Sequence, residues 1–107
     1  MAAADRRRVA VTGLGAVTPM GLDAMSTWDG LLSGKGAIAK ISSFDASGFP
    51  VQIAAEVPAR DIDCVFRVPK LRKYSDRKVD MAVRASEEAL AQAGYGPGAS
   101  MPEPTRF

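Results

Sequence analysis

The sequence predicts an α/β fold, and three stretches carry that expectation. A β-branched apolar run, Val9–Val11, breaks at Gly13 and Gly15, as a core strand does where it hands over to a helix. Further on, Val51, Ile53, Ala55 and Val57 alternate with Gln52, Ala54 and Glu56, the period of a half-buried strand. After that, Val79, Ala82, Val83, Ser86, Leu90 and Ala93 recur at helical spacing.

Taken in order, Val9, Ala10 and Val11 follow three arginines and are uniformly apolar, which suits a strand covered on both faces. Asp23 to Ser33 reads as a helix. Ala24, Trp28, Leu31 and Leu32 fall near one face, and Gly34 is placed to stop it. Gly30 inside that helix costs about 1 kcal/mol of propensity relative to alanine. The following "GKGAIAKISSFDASGFP" reads as irregular chain with a short extended piece around Ala37–Ile41. Val51 to Val57 is the alternating strand, with Pro50 before it and Pro58 after it. Ser75 to Ala93 is the clearest element, with Ser75 as N-cap and Gly94 as the C-terminal stop. Asp80 and Arg84 stand four apart with the acid first, the favourable order for a helical ion pair. Ala82, Ala85, Ser86 and Ala89 are small enough to let this helix lie close against a neighbour. The tail "YGPGASMPEPTRF" is rich in proline and glycine and reads as a linker.

Bulk properties narrow the function. The chain has 107 residues, room for one domain. A net charge of +2 does not by itself imply a nucleic-acid or membrane partner. The single cysteine, Cys64, rules out an internal disulfide and fits a reducing compartment. No apolar run approaches the roughly 18–20 residues that span a bilayer. The basic start "MAAADRRR" is followed by too short an apolar stretch for a signal peptide, so a cytoplasmic protein is expected. Histidine is absent, which removes a His base, a Cys–His pair or a His-ligated metal within this chain. No cofactor and no metal are expected.

The glycine loop poses a choice. A dinucleotide fingerprint needs G-x-G-x-x-G with a helix starting at the loop. Here the sixth position is Thr18, and Pro19 after it disfavours helical angles there. The helix is pushed to about Asp23, too late to face a phosphate held at Gly13–Gly15. No acidic residue stands at the end of a second strand, since Asp45 comes too late. The glycines are therefore read as chain geometry, providing positive φ or close packing.

"RRVAVTGLGAVTPMG", then "TWDGLLSGKGAI", "FDASGFPVQIAAEV" and "SDRKVDMAVRASEEALAQAG", in that order and spacing, resemble the N-terminus of the β-ketoacyl-acyl-carrier-protein synthases. The elongating type II enzymes match best, with polyketide ketosynthases next. The resemblance covers about Arg6 to Gly94. It implies the N-terminal part of a thiolase-like α/β/α/β/α layered fold, incomplete in this chain. The implied division is a basic extension over 1–8, part of a ketosynthase half-domain over 9–94, and a tail over 95–107 before the next core strand. The family is several hundred residues long and usually paired as a homodimer, so the resemblance implies a homodimer or a ketosynthase heterodimer for the full-length protein. Its reaction is a decarboxylative Claisen condensation that uses a cysteine nucleophile and two histidines. The histidines are missing here. Cys64, in "ARDIDCVFRV", does not match the nucleophile segment and reads as a small apolar residue. No catalytic residue is therefore assigned. The resemblance implies a fragment of a synthase or a truncated reading frame, inactive alone.

The cluster "RVPKLRKYSDRK" holds Arg67, Lys70, Arg72, Lys73, Arg77 and Lys78 against Asp76. Such a run is commonly just a solvated helix entry. The resemblance adds a second reading, in which basic residues before this helix dock the acidic surface of an acyl carrier protein. Position matching then favours Lys70, Arg72 and Lys73, although Ser75 adds one residue relative to many relatives. Two further readings stay open: a segment of a non-catalytic ketosynthase partner of the chain-length-factor type, and a small stand-alone binding module. Unpaired strand edges weigh against the module.

Overall fold

The computed structural model describes residues 8–58, 70, 73 and 76–96. Among these, two helices and a two-stranded sheet follow one another along the chain: α1 (Ala24–Leu32), β1 (Ile38–Lys40), β2 (Ile53–Ala55) and α2 (Arg77–Gln92). This is a partial α/β fold.

Both helices start and stop for identifiable reasons. The Asp23 carboxylate accepts the Ser26 N–H at 2.7 Å and caps α1. Thr27 Oγ1 donates to the Asp23 carbonyl oxygen at 2.8 Å and tightens the same turn. Asp76 accepts the Val79 N–H at 3.1 Å and caps α2. The cap is thus Asp76, not Ser75, which lies outside the described residues. Two adjacent residues of good capping chemistry competed, and a one-residue shift decided it. Gly34 at φ +66° and Gly94 at φ +88° end the two helices in the left-handed region that glycine enters without a Cβ clash.

β1 and β2 pair antiparallel, with Ile38 opposite Ala55 and Lys40 opposite Ile53. The Ile41 N–H donating to the Gln52 carbonyl oxygen at 2.9 Å extends the pairing by one step. The loop between them folds on itself. Phe44 and Phe49 meet edge to face at 5.8 Å, and Ala46 is the most covered apolar side chain described, 7% exposed. The alternating strand is shorter than the Val51–Val57 expected, and its apolar side is open: Val51 is 65% and Ile53 59% exposed.

Val9–Val11 is not a strand among the described residues. It finds no ladder partner there, and Val9 is 93% exposed. Pairing is what makes an extended run a strand, and a continuous apolar run needs neighbours on both sides. The expected face of α1 is also uncovered, with Trp28, Leu31 and Leu32 all more than half exposed. Gly30, in contrast, is buried in α1, where Met20 packs onto it.

Candidate functional site

Two places in the structure bear on function: the glycine segment seated on α2, and the basic N-terminal end of α2. The first settles what the glycines do. A Cβ on Gly15 would stand 1.8 Å from the Ala85 carbonyl oxygen, and one on Gly13 2.0 Å from that of Ala89. Backbone lies directly on helix backbone. Neither glycine has positive φ, so of the two roles expected of them, close packing is the one observed. Ala85, Ala89 and Ala93 supply the low surface that makes it possible.

A row of polar side chains on α2 fixes the register of this contact. Arg84, Glu88 and Gln92 are spaced four apart and so share one face of the helix. Gln92 accepts the Leu14 N–H through Oε1. Glu88 accepts the Ala16 N–H on Oε2 at 2.9 Å and the Ala24 N–H on Oε1 at 2.8 Å. Arg84, expected to pair with Asp80, directs its Nε to the Leu22 carbonyl oxygen at 2.9 Å. The sequence reading missed these three roles. Its available signal was a polar series at four-residue spacing beside an alanine series of the same period.

The same geometry leaves no phosphate cradle. The first turn of α1 already holds two carboxylates of the chain itself, Asp23 on Ser26 and Glu88 on Ala24. A helix N-terminus attracts anions because its N–H groups lack partners, and these have partners. The hydrogen bonds from Ser26 hold the Asp23 carboxyl below its ordinary pKa, the charged state the cap requires.

At the basic end, Lys70 and Lys73 are exposed. Arg72, the third residue expected to dock a carrier protein, lies outside the described residues, as does Cys64. Lys78 pairs with Asp76 at 2.9 Å with its own side chain 85% exposed. Its hydrogen bond, then that of the Val79 N–H, lowers the Asp76 pKa. Arg77 donates from Nη2 to the Val57 carbonyl oxygen, tying the start of α2 to the chain that leaves β2. The end of α2 therefore presents exposed cations around a capping acid. This arrangement can attract an anionic partner. No group of three or more potential metal ligands occurs among the described residues.

A second polar site closes the β1–β2 unit. The Glu56 carboxylate accepts the Ser43 N–H at 3.0 Å, the Ser42 N–H at 2.9 Å and the Ser42 hydroxyl at 2.7 Å. These bonds, those from Ser43 foremost, lower its pKa to about 2. It locks the loop.

The motif order and this architecture define a class, and comparison with known proteins supplies the family. The sequence model described as the N-terminal domain of beta-ketoacyl synthase matches residues 6–105, so the chain belongs to the β-ketoacyl synthase family through that domain. It is 41% identical over 90 residues to 3-oxoacyl-[acyl-carrier-protein] synthase 2 of Coxiella burnetii, covering 84% of this chain and 22% of that protein. It is 39% identical over 98 residues to the granaticin polyketide putative beta-ketoacyl synthase 2 of Streptomyces violaceoruber, covering 91% of this chain and 23% of that one. With the chloroplastic 3-oxoacyl-[acyl-carrier-protein] synthase II of Arabidopsis thaliana it shares 37% identity over 90 residues, 84% of this chain and 16% of that one. The chain thus spans less than a quarter of the length of these relatives.

Proposed function

We propose that this chain is the N-terminal segment of a β-ketoacyl-acyl-carrier-protein synthase of fatty-acid or polyketide synthesis, and that it is inactive by itself. The match of the family's N-terminal domain to residues 6–105 carries the reading. The relatives' names add synthesis of a 3-oxoacyl-[acyl-carrier-protein]. In the whole enzyme an acyl group moves from the carrier thioester to a cysteine thiolate. A malonyl thioester then loses carbon dioxide, and the resulting carbanion attacks the acyl carbon while hydrogen-bond donors hold the oxyanion. Collapse of that oxyanion breaks the carbon–sulfur bond and returns the cysteine thiolate. The groups for those steps belong to other parts of the synthase. This chain contributes scaffold over 9–94, preceded by a basic extension over 1–8 and followed by a tail over 95–107. The parent fold is the thiolase-like layered α/β/α/β/α arrangement.

Its partners are an acyl carrier protein and a second ketosynthase chain, in a homodimer or a heterodimer. A pair of granaticin synthases numbered 1 and 2 among the relatives supports the heterodimer. The compartment is the cytoplasm, in keeping with the fact that no described helix is long and apolar enough to cross a membrane. Neither the non-catalytic partner nor the stand-alone module is the reading that the relatives favour.

Lys70, Arg72 and Lys73 are the carrier-docking residues in this proposal. Exposed cations steer encounter with an acidic partner more than they hold the finished complex. In the complete synthase, Lys70→Glu with Arg72→Glu is expected to lower kcat/KM for carrier-bound acyl groups roughly tenfold at low salt. The loss should shrink toward 1 M salt, where the Debye length falls to about 3 Å. A small acyl thioester without the carrier should react as before. Equal losses on both substrates would assign the cluster to the fold instead.

A further inference from the structure

We draw no further inference here: the strongest candidate, the apolar cleft of about 480 Å3 between Pro19 and Met20 on one side and the Lys35–Ile38 segment on the other, is an unpartnered face with nothing in the structure to show what covers it.

Discussion

Gly15 and Ile53 lie in regions held by opposite means. Around Gly15, the 13–24 segment lies on α2 with backbone against backbone, and Arg84, Glu88 and Gln92 each hold a main-chain group of the segment. Around Ile53, the β1–β2 unit is closed by its own ladder, by the Phe44–Phe49 pair and by Glu56 on Ser42 and Ser43. The first region joins residues more than 60 positions apart, and the second joins near neighbours. Neither covers its large apolar side chains well: Val11 is 78%, Leu32 69% and Ile38 72% exposed. Hydrogen bonds and close backbone contact therefore specify where these elements sit. The stabilisation that comes from burying apolar surface, roughly 1.5–3 kcal/mol for each large side chain, has to come from surfaces outside them.

The strongest way to break the comparison is to remove the rest of the synthase. Residues 1–107 alone are expected to aggregate or to melt without a cooperative transition. A net stability of about 5–15 kcal/mol cannot survive the loss of partners for so many apolar side chains. A monodisperse monomer with a sharp calorimetric transition would overturn this.

Within the complete protein, Gly15→Ala should cost about 3 kcal/mol or more. The new Cβ meets a helix carbonyl oxygen that no rotamer change can move aside. Gly48→Ala is the control, because nothing lies within 4 Å of a Cβ there. Similar urea midpoints for the two variants would mean that the glycine segment does not need α2.

A smaller effect is expected from Glu88→Ala, which orphans the Ala16 and Ala24 N–H groups. The loss should be about 2 kcal/mol, in line with the desolvation of unpaired donors. Amide exchange at Ala16 and Ala24 should accelerate while the hairpin amides keep their protection. Uniform acceleration across both regions would erase the distinction drawn between them.

The smallest effect belongs to the local unit and depends on pH. Glu56 titrates at about 2 in the folded chain against 4.5 ordinarily. A depressed folded value means that its contribution is fully present above pH 4.5 and is lost as the pH falls toward 2. Between pH 5 and 8 the hairpin should be indifferent to this group. The carboxyl carbon shift of Glu56 followed against pH reports the midpoint, and a value near 4.5 would show that Ser42 and Ser43 do not hold it.

Where the sequence was legible, the reason was local chemistry. Asp23 marks a helix start through its side chain, Gly34 and Gly94 mark helix ends through their backbone freedom, and both helices lie within a residue or two of their expected limits. The short extended piece near Ala37–Ile41 and the alternation after Pro50 became the two paired strands. The illegible parts were relations between distant residues. Nothing in "VAV" says what pairs with it, and the strand expected at Val9–Val11 has no ladder partner among the described residues. Nor does a glutamate on a helix announce that its two oxygens serve two different stretches of backbone. At the basic end, the exposure of Lys70 and Lys73 follows from charge alone.

The span of the Leu14–Gln92 contact has a consequence for synthesis on the ribosome. The two residues are 78 positions apart. At about 5–20 residues per second, the N-terminal segment emerges on the order of 4–16 s before the helix it rests on has been made. During that interval Leu14, Ala16 and Ala24 have no side chain of α2 to receive their amides. A nascent chain in this state is a natural client for a chaperone that binds short apolar stretches. The small, glycine-broken character of "VAVTGLG" limits how long a sticky run it presents while it waits.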